Sequence, residues 1–345
     1  MARLRGGKGM TYAKAGVDID QKSRSIAALV DKLRDERKGR WKMVDLPGHF
    51  TGLIDFGEYA LSLCTDGVGT KLLIAEEMGI WNTVGIDCVA MNVNDTICVG
   101  AEPVAFVDYI AIDRPDPDVL AAVGEGLQEG MRQSNAAIVG GEVAILPDLV
   151  TGLDLSGTCL GIVKKKEIIT GQKCAPGDAV IGLPSTGVHS NGLTLARKVF
   201  EKNDYSYNDR VKGLKKTVGQ ELLTPTRIYV RQVLDVVRKF KVHGMVNITG
   251  GGLRNFVRLK EGIGFCIDEP MLPPPIFDVM QELGRIKDKE MYQTFNMGMG
   301  FAMIAPEKDA RGIVKTLGKG AKIVGSVDGS GAVSVPSLGL KYDRY

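Results

Sequence analysis

Thr65-Asp66-Gly67-Val68-Gly69-Thr70-Lys71, read together with Asp95-Thr96-Ile97-Cys98-Val99-Gly100-Ala101-Glu102-Pro103 one helix length downstream, decides how this chain is built. A triphosphate asks a protein for small residues that let the backbone approach, N–H donors, a fixed cation and carboxylates for magnesium. The first stretch holds all four. Ala60 to Cys64 reads as a short buried strand, so Asp66 falls where a strand gives way to a glycine turn. An Asp-Gly hairpin turn is the plain alternative, and this stretch by itself does not decide between them.

The second stretch adds a helix. Ile86, Val89, Ala90, Val93 and Ile97 recur at helical spacing and leave Asp87, Asn94 and Asp95 off the apolar stripe, with Asp87 and Asn94 two turns apart on one face. Oxygen ligands lined up beside a buried stripe suit magnesium, and a solvated face is the alternative. Gly100 stands at a helix C-terminus and Pro103 just beyond it.

Working outward, Val104 to Ile112 reads as a strand and Pro117 to Ser134 as a helix capped by Asp116, with proline at its first position. Ala136 to Val139 reads as a strand running into Gly140-Gly141-Glu142, and Leu155 to Val163 as another. The Lys164-Lys165-Lys166 run and the Thr170-Gly171-Gln172 turn mark a domain boundary, giving an N-terminal domain over 1–170 and a C-terminal domain over 171–345. The second half opens with a strand at Asp178 to Leu183. A Pro-Ser-Thr-Gly loop, His189-Ser190-Asn191-Gly192 and a helix over Leu193 to Lys202 follow, a common way to aim a helix N-terminus at an anion. Val246 to Gly252 repeats the theme with Thr249-Gly250-Gly251-Gly252, for which a flexible turn is the alternative.

A chain of 345 residues exceeds what one core usually serves. Its 44% apolar and 25% charged residues are those of an ordinary globular protein, while 44 glycines point to many turns and backbone-lined sites. Net charge is +3; Met1 to Lys8 is basic, and Asp31 to Lys42 mixes acids among its bases, which argues against nucleic acid. The six cysteines show no metal-ligand spacing, no apolar run approaches a membrane span, and no signal core precedes the chain, so reduced thiols and a cytoplasmic location are expected. Among the histidines, His189 sits in a polar glycine-flanked loop and reads as functional. His49 is a weaker candidate, and His243, after the basic end of a helix, reads as structural through the helix dipole.

The pattern Asp-x4-Gly-Ala-x-Pro preceded by Asp-Gly-Val-Gly-Thr-Lys resembles the aminoimidazole ribonucleotide synthetase superfamily of ATP-using enzymes, most closely its purine-pathway cyclo-ligase branch. Further motifs follow in the same order: Ala15-Gly16-Val17-Asp18-Ile19, Val139-Gly140-Gly141-Glu142, Ser185 to Gly192, Leu222 to Tyr229, and Ile248 to Leu253. The resemblance implies an α+β fold of two domains, each a mixed β-sheet with helices packed on one side, and N-terminal sheets that pair across a homodimer. It implies ATP-dependent ring closure of formylglycinamidine ribonucleotide to aminoimidazole ribonucleotide through an iminophosphate, releasing ADP and phosphate. Under it, Asp66, Asp95 and Asp87 hold Mg2+, and Thr65 to Lys71, Asn94, Gly140, Gly141 and Glu142 bind the nucleotide. His189 and Asn191 are the catalytic candidates, and Ser190, Gly192 and Thr249 to Gly252 bind the substrate.

Several positions depart from the family pattern. Lys14 follows Ala13 where the pattern places the lysine one residue earlier, Asn247 replaces a His before Ile-Thr-Gly-Gly-Gly, and Val143 replaces a Thr. Relatives with other chemistry fit less well. Selenophosphate synthetase needs a reactive Cys near its start, where Met1 to Thr11 has none, and the hydrogenase-maturation branch ends in Cys, not Tyr345. Thiamine monophosphate kinase usually shows Asp-Asp-Ala where Asp66-Gly67-Val68 stands, and the amidotransferase relative is far longer.

Overall fold

The computed structural model describes residues 9–17, 19–33, 37–46 and 48–343. The Met1 to Lys8 run, Asp18, Pro47 and Tyr345 lie outside the described residues. Helix α1 (Ile19–Val30) is followed by β1 (Met43–Val44), β2 (Gly52–Phe56), β3 (Tyr59–Gly67), α2 (Lys71–Met78), α3 (Asn82–Ile97), β4 (Glu102–Ile112), α4 (Pro117–Ser134), β5 (Ala137–Ile145) and β6 (Leu153–Lys164). These strands form one mixed sheet in the order β1-β2-β3-β6-β4-β5, antiparallel except where β4 meets β5.

The second half holds β7 (Ala179–Pro184), α5 (Leu193–Glu201), α6 (Val218–Leu222), α7 (Val230–Lys239), β8 (Gly244–Asn247), β9 (Gly264–Cys266), α8 (Pro275–Gly284), α9 (Asp288–Thr294), β10 (Met299–Ala305), α10 (Glu307–Leu317), β11 (Lys322–Asp328), β12 (Val333–Val335) and β13 (Leu340–Tyr342). Its sheet runs β13-β12-β9-β11-β7-β10-β8, with only β12 and β9 parallel. The fold is thus α+β with two mixed sheets. No helix among the described residues is long and apolar enough to cross a membrane.

Local chemistry accounts for several boundaries. The Asp116 carboxylate accepts from the Asp118 and Val119 amides at 2.9 and 3.2 Å, fixing the start of α4, and Asn135 closes it in the left-handed region. Gly100, at φ 78°, turns the chain after α3, its N–H donating to the Ile97 carbonyl at 2.9 Å. Helices α3 and α4 cross at contact distance because Gly85 and Gly126 lack side chains, and a Cβ on either would overlap backbone atoms of the other helix.

Helix α3 covers the inner face of the first sheet, over β3, β4 and β6. On the opposite face Leu63 of β3 and Val107 and Tyr109 of β4 stand exposed on either side of β6. Residues 10–15 cross to the second half, where the Met10 N–H donates to the Gly284 carbonyl, the Tyr12 N–H to Glu290 Oε1 at 2.6 Å, and Lys198 Nζ to the Ala15 carbonyl at 2.6 Å.

Three expectations are corrected. Gly140-Gly141-Glu142 does not follow a strand but lies inside β5, because parallel pairing with β4 carries the strand on to Ile145. Asp87, Asn94 and Asp95 do not line an open helix face, since Asp87 and Asn94 are buried against the second half and Asp95 is half-buried there, bonded to Asn247. His243 is held not by a helix end but by Asp178, with Nδ1 and Oδ2 at 2.7 Å.

Candidate active site

Strand β3 runs through Asp66 to Gly67 and passes, by way of Gly69 at φ 71°, into α2 beginning at Lys71. The chain goes from strand to helix here, which excludes the hairpin. Thr65 Oγ1 donates to the Gly157 carbonyl at 2.8 Å, and the buried Val68 donates its N–H to the Leu155 carbonyl. Thr70 Oγ1 lies 3.1 Å from Thr194 Oγ1 at the start of α5, so the turn meets the His189 to Gly192 loop across the domain boundary.

Lys71 and Asp87 form a fully buried ion pair at 2.7 Å. Lys71 Nζ also donates to the Thr224 carbonyl at 2.8 Å, while Asp87 Oδ1 accepts from the Thr226 amide and hydroxyl at 2.7 and 2.5 Å. Burial pulls the Lys71 ammonium below the ordinary lysine range, against the attraction of Asp87. Asn94 spans the same junction, accepting from the Tyr229 amide at 3.0 Å and donating to the Arg227 carbonyl at 2.8 Å.

Asp95 is engaged differently. It takes one hydrogen bond, 2.8 Å from Asn247 Nδ2, and burial together with the nearby Asp66 charge pushes its carboxyl up to about 7, although Asn247 and Arg258 oppose the rise. Burial also raises Asp66, against its 2.8 Å bond from the Gly67 amide and the Lys22 charge. Neither carboxylate has an ion-pair partner among the described residues, in contrast to Asp87. Two crowded, desolvated carboxylates suit magnesium, which takes one or two such ligands and fills its shell with water and phosphate oxygens. Among the described residues no three His, Cys, Asp or Glu side chains converge as a ready cage.

The glycine loops of the second half meet each other. Asn191 Oδ1 lies 3.0 Å from where a Cβ on Gly250 would stand, and Ser190 Oγ lies 3.2 Å from Thr226 Oγ1. Gly192, Gly251 and Gly252 all have positive φ, and side chains at Gly192 and Gly252 would collide with Phe295 and Tyr292. Thr249 is tied through its carbonyl to Asn255 Nδ2 at 3.4 Å. His189 is buried at φ 65° and its Nε2 accepts from the Thr186 and Arg227 amides at 3.1 and 3.5 Å. Burial and the Lys71 and Arg227 charges hold its pKa at about 3, so the ring is neutral at pH 7. It clamps its own loop to the 224–229 segment.

Gly140, Gly141 and Glu142 lie on the exposed edge strand β5. Gly141 stands opposite Asp108, whose carboxylate occupies the space a Cβ there would need, and Asp108 shares a row with Gly157 and Asp66. Glu142, one residue on, falls on the other face. Asp108, half-buried with its pKa raised by desolvation, is a site neighbour that sequence reasoning missed; so are Thr226, Arg258 and Tyr12, whose hydroxyl bonds to the Gly192 backbone. Thr226 falls within the Leu222 to Tyr229 motif but received no role there, and the others carry no local signal, since each arrives from a distant part of the chain.

These features define a class first: a two-domain α+β protein with a carboxylate pair beside a glycine turn at a helix start, suited to metal-assisted phosphoryl transfer. Residues 48–163 match the N-terminal domain of AIR synthase related proteins and residues 175–336 match their C-terminal domain. Phosphoribosylformylglycinamidine cyclo-ligase of Methanosarcina acetivorans is 53% identical over 325 residues, covering 94% of this chain and 96% of the relative. Among solved structures, AaThiL complexed with AMPPCP and TMP shares the fold at a TM-score of 0.63 and 14% identity, covering 93% of each chain. The hydrogenase maturation protein HypE in complex with ATP does so at 0.61 and 17%, covering 94% of each. The chain belongs to the AIR synthase related family.

Proposed function

We propose that this chain is a carbon–nitrogen cyclo-ligase of purine biosynthesis, closing formylglycinamidine ribonucleotide to aminoimidazole ribonucleotide with conversion of ATP to ADP and phosphate. The observation that carries the reading is identity above one half, over nearly the full length of both chains, with a protein of that name.

An amide oxygen leaves poorly. Transfer of the γ-phosphoryl group onto the formyl amide oxygen, with loss of the amide N–H proton, gives an iminophosphate and ADP; the intramolecular nitrogen then attacks that carbon, phosphate departs with the oxygen, and the attacking nitrogen loses its proton. Such transfer needs positioning and charge neutralisation more than covalent help. In this reading Asp66 and Asp95 hold Mg2+, whose chemistry is to neutralise phosphate charge. The Gly67 to Gly69 backbone and Thr70 cradle the ATP phosphates at the start of α2. Lys71 and Asp87, committed to each other, brace that turn from behind, and Asn94 holds the second domain against it.

Asn191, beside Gly250, orients the formyl amide, and His189 keeps Ser190, Asn191 and Gly192 in place. Thr249 to Gly252 and Gly192 receive the substrate phosphate. The exposed Leu63, Val107 and Tyr109 support a homodimer formed through the first sheet, where Glu142 would meet the partner subunit. We place the domain boundary near residue 170 and the enzyme in the cytoplasm.

The test is incubation of the purified chain with formylglycinamidine ribonucleotide, ATP and magnesium, measuring ADP and aminoimidazole ribonucleotide together. Equal yields are expected, and absence of substrate-dependent ADP refutes the reading. Asp66→Ala should abolish turnover with an unchanged circular dichroism spectrum; full activity in that variant would remove Asp66 from the site.

A further inference from the structure

A separate recess of about 880 Å³ opens between the two halves at the C-terminal end of α3. Its walls are the segment after β6, the tail of α7 and the entry to β8. Gly100 packs so tightly here that a Cβ would press on Ile169 and on the Glu167 carbonyl at 3.3 and 3.4 Å. The Ile169 N–H donates to the Val99 carbonyl at 3.0 Å. The connecting segment is therefore pinned to the end of α3, with the recess open beside it.

Leu234, Val237 and Phe240 give the recess an apolar floor, while Lys166, Lys173 and Lys241 stand exposed at its rim. These three lysines have no carboxylate partner among the described residues. The other basic side chains that line it are matched: Lys164 with Glu167 at 4.0 Å, Arg238 with Glu102 at 3.6 Å across the domain junction, and His243 with Asp178. Three unmatched ammonium groups over an apolar floor concentrate positive potential in a chain whose net charge is only +3. The volume and the position at a domain junction are those of a small-molecule site, and no residue of the candidate active site lines it.

We propose that this recess is a second ligand site, taking an organic phosphate with a flat apolar body, the class of a nucleoside monophosphate. The phosphate sits among Lys166, Lys173 and Lys241 and the body lies on Phe240 and Val237. The inference does not depend on the cyclo-ligase reading, because it concerns binding alone.

The experiment is isothermal titration of the full chain with adenosine 5′-monophosphate, with saturating non-hydrolysable ATP analogue present to fill the nucleotide site proposed above. One site per chain is expected, with inorganic phosphate binding more weakly and adenosine not measurably. Lys166→Glu/Lys241→Glu should weaken binding by at least about tenfold, as loss of two charge-assisted contacts requires. Reversal of two exposed lysines on α10, Lys308→Glu/Lys315→Glu, should leave it unchanged. Hydrogen exchange should show protection at 164–173 and 234–243. No binding up to about 5 mM, the weak limit of a specific small-ligand site, overturns the proposal. Equal losses in both double variants, or protection only at 65–71, overturn it as well.

Discussion

Replacing Lys71 by methionine decides between two roles for this residue, phosphate ligand and internal brace. The side chain is fully buried, its ammonium lies 2.7 Å from Asp87 and 2.8 Å from the Thr224 carbonyl, and Asp87 holds Thr226 in turn. Removing one partner of such a pair leaves an uncompensated buried charge, a loss of roughly 3–5 kcal/mol. That corresponds to about two to nearly four powers of ten in the folding equilibrium. Lys71→Met/Asp87→Leu removes both charges and should cost less than Lys71→Met alone, since only hydrogen bonds to Thr224 and Thr226 are then lost. Urea unfolding followed through Trp81, at the start of α3, measures both. The brace is refuted if Lys71→Met loses less than about 1 kcal/mol, the range of an exposed pair. It is equally refuted if the double variant shows the sum of the two single losses. A stable Lys71→Met protein with a raised KM for ATP would return the lysine to the phosphates.

The His189 ring titrates at about 3 when folded, below the ordinary histidine value near 6.5, so the unfolded chain binds the extra proton between these values and stability falls as pH drops through that window. Acidification from pH 7 to 4.5 should cost on the order of 2–3 kcal/mol from this group, and His189→Asn, which tolerates positive φ and keeps an acceptor, should flatten the slope in pH-dependent melts. Gly126→Ala drives a methyl group into the Asn82 backbone and should destabilise by about 1–3 kcal/mol, read as a lower urea midpoint. Leu63→Lys/Val107→Lys should turn the proposed homodimer into a monomer in light scattering, and an unchanged dimer mass would move the interface elsewhere.

Helix α4 and the start of α5 were legible in the sequence because their signals are local. Asp116 and Pro117 begin one, and Gly192 at φ 79° precedes the other. The strand leading to Asp66 was legible for the same reason, whereas its passage into α2 was not, because the Asp-Gly stretch reads equally as a hairpin turn. What lay beyond reach depends on partners that local spacing does not reveal. An aspartate such as Asp87 on a helix reads as a water-facing ligand until Thr226 arrives to cover it. Gly140 and Gly141 read as the end of a strand until parallel pairing with β4 carries the strand through them and Asp108 fills the vacant Cβ space of Gly141. Asp66 and Asp95 could be named as candidates, but their unequal fate from Asp87 comes from where Lys71 points, which no spacing encodes.

The bonds that Asp87, Asn94 and Asp95 send from one helix into the other half of the molecule also restrict how the enzyme can breathe. Swinging the halves apart would strip the buried Asp87 and Asn94 and the half-buried Asp95 of their partners at once, at about 1–3 kcal/mol each. A hinge-opened form would then be populated at roughly one molecule in a hundred down to one in several million. If the proposed site is right, ligand traffic must then pass by way of the turn at 67–70 and the glycine loops at 187–192 and 249–252. Turnover should therefore follow loop mobility at these three places and be insensitive to reagents that cross-link the two sheets.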